Sequence, residues 1–431
     1  MSLIPILTTQ EAASWLHGHQ AQTVSGFYSQ KSALQQAVAA IFDAVCQEGT
    51  QAIRRYGEQF SECQPRQAFE LTQADIQAAL QRVPQETLVT LQAAAQNIQM
   101  MADAVVSRVK EPVMISPETG LRAGVRWVAV DRALCYAPGG RYPLPSTALM
   151  TVITAKSAGV KEIFLTSPNM SDVIVAAGHL VGAHRFFRLG GAHAIAAFAL
   201  GTEETPRVDM IVGPGNAYVS EAKRLVREAG LVGIDMLAGP SEVAIIADDT
   251  ANAEWIALDL LAQAEHDPDA RAILLTPSDA LACEVSTHIS ECLTRLRLPA
   301  FVQKSLAGSA IFVLPSLHDC AEMANQIAAE HLHVQVEVPE LLTPLLRHAG
   351  TLFVGHRATV PLGDYAAGPN HTLPTSGAAR FCGGLTPLTF LRPQGWVEVQ
   401  EPPPVKTLMT TVALATAEGL VAHAAAAQAR I

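Results

Sequence analysis

A carboxylate and an imidazole, Asp364 and His371, share the run GDYAAGPNHTLPT at residues 363–375. Both side chains can move protons or ligate a metal. The two prolines and two glycines of the run break a helical ladder, so it reads as a long ordered loop rather than a helix. Its turn residues must fold it back before the pair can meet. Alone, the run is equally an ordinary surface loop. Gln263 and His266, in LLAQAEH, stand at i, i+3 near a helix end and share one face. An amide oxygen and an imidazole presented together suit a divalent metal, although a polar helix end looks the same. Glu265 between them points elsewhere. Asp364 adds a carboxylate and His423 a second imidazole. Two nitrogens and two oxygens suit zinc, manganese or cobalt, and do not suit a cysteine-rich structural site.

Glu330 and His331 are adjacent in AAEHL, at the junction of a helix and the strand HLHVQV. Buried together, a carboxylate and an imidazole form a general-base pair. His333, on the same strand face, reads as a core histidine. The fingerprint G-x-G-x-x-G is absent. Two glycine turns take its place: GPGN at 213–216, between a strand and a helix, and PGGRYP at 138–143, preceded by Tyr136. Amides in such turns can cradle a phosphate.

The elements that must position these residues follow from hydrophobic period. Residues 1–25 read as a polar, helix-prone arm. Val38, Ile41, Phe42, Val45 and Ile53 recur at helical spacing. A second helical region starts after Thr72, whose hydroxyl caps it, and the chain stays helical to about Val109. From Gly124 short β-rich runs alternate with helices, which means βαβ units and parallel sheets. Strands are predicted over residues 160–166, 185–189, 208–213, 242–248, 271–276, 310–314 and 331–336, with a last one near Thr351. The predicted class is α/β with two doubly wound, incomplete Rossmann-like parallel-sheet domains. Residues 26–132 and 240–380 form the first, with the metal and catalytic residues. Residues 133–239 form the second, which binds the nucleotide, and 381–431 are a small C-terminal tail.

The chain has 431 residues, 49% of them hydrophobic and 16% charged, which suits a large buried core and excludes disorder. The formal net charge of -11 and the lack of a basic stripe argue against nucleic acid. No uncharged apolar run reaches about 18 residues, so no membrane span is expected, and the first residues lack the pattern of a signal peptide. The seven cysteines contain no C-x-x-C and read as reduced thiols of a cytoplasmic protein.

Taken together the motifs resemble the histidinol dehydrogenase family. Those that match are YAPGGRYPLPSTALM, VGPGNAYVSEAKR, DMLAGPSE, LLAQAEH, AAEHL, GDYAAGPNHTLPTSGAARF and AEGLVAHA, in family order over nearly the whole chain. The resemblance implies a zinc enzyme that oxidises an amino alcohol to an acid in two NAD-dependent steps. By motif match it implies Gln263, His266, Asp364 and His423 as zinc ligands, and Glu330 and His331 as proton acceptors. Ser241, His371 and Glu418 would contact substrate, and Tyr136 and Asn216 would contact NAD. It also implies a homodimer with shared sites, one zinc per subunit. Two stretches depart from the family. His193, in GGAHAIAA, replaces an expected glutamine at the NAD site, and RFCGGLTPLTF replaces a serine- and proline-containing pattern. These departures leave room for another small polar alcohol as substrate. A metal-dependent hydrolase, built on the same four ligands, has no use for two phosphate-sized turns. A non-catalytic binding protein has no use for the Glu330–His331 pair.

Overall fold

The computed structural model describes residues 4–12, 14–16, 31–139 and 142–431. Its strands, in chain order, are β1 (Ile6–Leu7), β2 (Val113–Glu118), β3 (Leu121–Ala129), β4 (Arg132–Tyr136), β5 (Glu162–Thr166), β6 (Arg185–Phe187), β7 (Met210–Val212), β8 (Gly233–Ile234), β9 (Glu242–Ala247), β10 (Arg271–Thr276), β11 (Ala310–Val313), β12 (His331–Gln335), β13 (Thr351–Val354) and β14 (Leu391–Val399). They form three sheets. One has the order β1-β11-β10-β9-β12-β13, one β6-β5-β4-β7-β8, and one β14-β3-β2. The first two are parallel throughout, and the third is antiparallel.

The parallel sheets are buried on both faces, as their unbroken apolar strands require. In β9, Val243, Ile245 and Ala247 face the helices Ala253–Ala264 and Asp279–Arg295. Ala244 and Ile246 face the helix Leu317–Ile327. That is the period-2 alternation of a strand between two helical layers. Against the five-stranded sheet the helix Pro145–Ser157 is buried all round from Ser146 to Ala155. It lies between the sheet and the helix Gln85–Ser107, so every face meets protein.

In each parallel sheet the chain reverses its winding once, between β4 and β7 and between β9 and β12. Such switch points leave a crevice at the carboxyl ends of the strands. The GPGN turn lies at the first. Gly213 has φ 111°, and a Cβ there would stand 2.1 Å from the Tyr136 carbonyl oxygen, so only glycine fits. Lys223, 1% exposed, donates to the Gly213 carbonyl at 2.9 Å and pairs with the buried Asp235. Asp235 in turn accepts from Gly213 N at 2.7 Å.

Packing corrects three expectations. The helices at residues 31–107, grouped by sequence with 240–380, build their core on both faces of the five-stranded sheet. Thr72 does cap its helix, with Asp75 returning the bond in a capping box. The N-terminal arm is helical at residues 9–12 and 14–16, as expected, but is preceded by a strand, because β1 pairs in parallel with β11 at the sheet edge; residues 1–3, 13 and 17–25 of the arm lie outside those described. Thr351 is not the last strand. β14 pairs with β3 along nine residues, so the tail is stitched into the body before its helices begin. Pro393 and Gly395 mask that strand in the sequence.

Replacing Lys223 with Met leaves Asp235 buried without its cation. We expect a loss of about 3–5 kcal/mol in denaturant unfolding, as for a broken buried pair. A loss below about 1 kcal/mol would show that the pair does not hold the turn.

Candidate active site

Glu330 and His331 open β12, whose register sets His331 beside Val243 of β9. The main chain of Glu242 therefore meets both side chains. Its N–H donates to Glu330 Oε2 at 3.1 Å. Its carbonyl accepts from His331 Nδ1 at 3.2 Å. A carbonyl only accepts, so the proton of His331 is on Nδ1 and the lone pair is on Nε2. That Nε2 is buried, has no hydrogen-bond partner, and lies 3.7 Å from Asp364 Oδ1. Burial pushes the imidazole down to about 3, so it is neutral. The charges of His266 and His371 act in the same direction.

The carboxyls shift the other way. Burial holds Glu330 well above its usual range, reinforced by Glu242 and Asp364 and opposed by the Glu242 amide and the Ser241 hydroxyl. Burial pushes Asp364 up to about 7. Glu242 is also raised to about 7, by burial against the Arg271 guanidinium 3.7 Å away. Sequence reasoning missed Glu242. It sits in the GPSE motif, but nothing in that motif says that its backbone serves two other residues.

The loop at 363–375 is largely as read, with one correction. Its first residues finish a short helix, Val360–Tyr365. Beyond it the chain folds back, and His371 Nδ1 donates to the Asp364 carbonyl at 2.8 Å. His371 Nε2 then accepts from the Thr147 hydroxyl at 3.1 Å. Asn370 Nδ2 donates to the Met150 carbonyl at 3.0 Å. These bonds fasten the loop to the helix that follows β4, so it spans the two parallel sheets.

Gln263 is 2% exposed, and both atoms of its amide lack a hydrogen-bond partner. His266, one turn on, stands at the open rim. It reaches solvent, yet enough protein surrounds it to lower its proton affinity, with Glu265 opposing. An orphaned buried amide is costly, and amide, imidazole and carboxylate donors suit zinc. The residues thus fit the implied metal in chemistry. Among the described residues no group of three or more His, Cys, Asp and Glu is placed to hold a metal within this chain. His423 and Glu418 are exposed, His423 on the terminal helix Val421–Gln428 and Glu418 at the end of the helix before it.

At the other switch point, Tyr136 ends β4 with its hydroxyl accepting from Gly191 N at 3.2 Å. Asn216 caps the helix Ala217–Glu228, its Oδ1 accepting from Tyr218 N and Val219 N. Of the turn amides expected to face a phosphate, that of Gly213 is taken up by Asp235. His193 has no exposed surface. Its Nε2 bonds Glu62 Oε2 at 2.9 Å, and its ring stacks with Tyr56 and Phe60. Glu62 also accepts from Gly190 N at 2.8 Å, so His193 meets the Gly190–Gly191 turn from beneath.

The Glu330–His331 pair lies at the amino end of β12, away from the crevice at the carboxyl ends of the strands, and a buried carboxylate–imidazole pair suits an enzyme that moves protons. The family model for histidinol dehydrogenase matches residues 27–431. The chain is 46% identical to the histidinol dehydrogenase of Aquifex aeolicus (strain VF5) over 314 residues, 73% of each. It is 39% identical to that of Methanocaldococcus jannaschii over 399 residues, 91% of this chain and 92% of the other. The crystal structure of histidinol dehydrogenase from Elizabethkingia anophelis superposes with a TM-score of 0.91 at 31% identity, covering 100% of this chain and 98% of that one. The chain belongs to the histidinol dehydrogenase family of NAD-dependent oxidoreductases.

The depressed proton affinity of His331 has a direct consequence. Its charged form is disfavoured, so the metal-free protein should keep a neutral Nδ1–H imidazole well below the ordinary histidine range of about 6.5. Nitrogen NMR of histidine-labelled protein, titrated down to about pH 5, reads the tautomer. A titration of His331 near 6.5 would contradict the burial argument.

Proposed function

We propose that this chain oxidises L-histidinol to L-histidine through the aldehyde, in two NAD-dependent hydride transfers, with zinc bound by Gln263, His266, Asp364 and His423. The observation that carries the reading is the Nε2 lone pair of His331. It is buried and unpartnered, with its tautomer fixed by the Glu242 carbonyl, beside Glu330. NAD supplies the hydride acceptor in both halves, and zinc, when bound, the positioning of the substrate's amine and imidazole nitrogens.

His331 takes the hydroxyl proton as the alcohol becomes the aldehyde. Its neutral form at working pH is the form that a base must have. The aldehyde is then hydrated, and Glu330 orients and deprotonates that water. Burial makes its ionised form a strong base. Ser241 steadies the Glu330 carboxylate through its hydroxyl. His371, held by Asp364 and Thr147, lines the substrate side with Glu418, whose charge suits a cationic amino alcohol. Tyr136, Asn216 and, through the turn at 190–191, His193 shape the nucleotide side. All seven thiols are free, which suits the reducing cytoplasm.

The tail supports a homodimer with shared sites. Its helices Val405–Ala417 and Val421–Gln428 bury only Ala415 and Ala427, while Met409, Leu414 and Val421 are 60%, 61% and 80% exposed. An apolar hairpin this bare marks an interface. His423 and Glu418 would then complete the site of the partner subunit.

The direct test is NADH formation from L-histidinol and a panel of polar alcohols, with added zinc and with a chelator. Activity on another alcohol and none on histidinol would overturn the substrate. Within this scheme Glu330→Gln should slow the aldehyde half by roughly two to four orders of magnitude. The alcohol half should suffer less, because only the second half needs an activated water. Equal losses, with aldehyde supplied separately, would count against the role. For the shared site, His423→Ala and His266→Ala should each be inactive as homodimers. Mixed under subunit exchange, about half of the dimers are hybrid and roughly a quarter of all sites regain every ligand. No recovered activity despite proven exchange would assign His423 to its own chain.

A further inference from the structure

Asp259 lies on the helix Ala253–Ala264 one turn before Gln263, so the two side chains share one face, and His266 follows in the turn that ends the helix. It is 7% exposed and accepts a hydrogen bond on each oxygen. Oδ1 accepts from the Thr359 hydroxyl at 2.6 Å. Oδ2 accepts from Gln335 Nε2 at 3.1 Å. The second N–H of that amide reaches His333 Nδ1 at 3.1 Å. His333 Nε2 in turn donates to the Gly355 carbonyl at 3.1 Å, which fixes its tautomer. His333 and Gln335 have no exposed surface.

Each end of this chain of bonds leads to a residue of the proposed metal set. Thr359 is the residue before the helix Val360–Tyr365, which carries Asp364. Its hydroxyl does not cap that helix and is spent on Asp259 instead. Gly355 opens the turn after β13 that delivers the same helix. One buried carboxylate thus links the helix that bears Gln263 and leads into His266 to the segment bearing Asp364.

We propose that Asp259 and Thr359, backed by His333 and Gln335, are positioning residues that set the separation of Gln263 and His266 from Asp364 and so tune metal affinity. The inference rests on the ligand set proposed above. A short charged hydrogen bond in a dry site is directional and stiff. Groups that orient metal ligands without touching the metal typically change affinity 10–100-fold.

The test uses the full-length metal-free protein, with zinc as the titrant against a chelating dye and cobalt as the spectroscopic probe. Thr359→Val keeps the shape and removes the hydroxyl. It should weaken zinc about 10–100-fold and shift the visible absorption of the cobalt form. Thr359→Ser should restore both to within about twofold. Unchanged zinc affinity in Thr359→Val, or weaker binding with an unshifted cobalt spectrum, would overturn the proposal. His266→Ala is the control for the ligand set. If it leaves zinc affinity unchanged, the ligand reading falls and takes this inference with it. If it weakens zinc and Thr359→Val does not, only the positioning role falls. Should Thr359→Val not fold, Asp259→Asn, which keeps the volume, is read by the same two measurements.

Discussion

The parallel pairing of β9 with β12 is the constraint on which the site depends. It sets the Glu242 peptide groups against Glu330 and His331, fixing a carboxylate and a tautomer with one residue's backbone. A slip of one residue would turn both side chains to the opposite face. The apolar alternation of β9 forbids that slip, because Val243 and Ile245 would trade layers with Ala244 and Ile246. Register, set by packing in the core, thereby becomes catalytic geometry at the edge. Backbone groups make good supports because no rotamer has to be frozen to aim them.

The same burial sets the electrostatic state. Glu330, Glu242 and Asp364 all bind protons more tightly than free carboxyls, while His331 and His371 bind them less tightly. Every group is driven toward neutrality by desolvation. Such a site discriminates by charge. A cation brought among the carboxyls returns them to their ionised form, whereas an anion meets only added repulsion. A cationic amino alcohol is therefore matched to the resting site, and its arrival would convert Glu330 from a proton holder to a base.

Local chemistry was legible in the sequence, and long-range pairing was not. The capping of Thr72, the strand at β9 and the fold-back of His371 on Asp364 follow from neighbours in the chain. The three-stranded sheet was missed because β3 finds β14 across more than half the chain, and β14 carries Pro393 and Gly395. The grouping of residues 31–107 failed for a related reason. An amphipathic helix announces that it will bury a face, and either parallel sheet offers one. His333 read as a core histidine, and it is buried. Its role came from Asp259 and Gln335, polar residues whose types carry no signal until they meet. Glu62 under His193 is the same case, joined across 131 positions.

These networks also bear on how the parts hold together. The loop at 366–376 crosses from one parallel sheet to the other and is tied to both by polar bonds. Asn370 and His371 bind one side, while Thr375 and Ser376 bind Gly239 and Glu242 on the other. Hydrogen bonds of this kind contribute little net stability each but are expensive to leave unmade. They therefore specify a single arrangement more than they strengthen it. A purely apolar seam would let the sheets settle in several nearby positions at similar free energy. For hydride transfer, where the donor carbon must meet the nicotinamide at a fixed distance, a polar seam trades some stability for one defined separation. On the proposed reading, that separation is the quantity for which the loop's buried polar groups are kept.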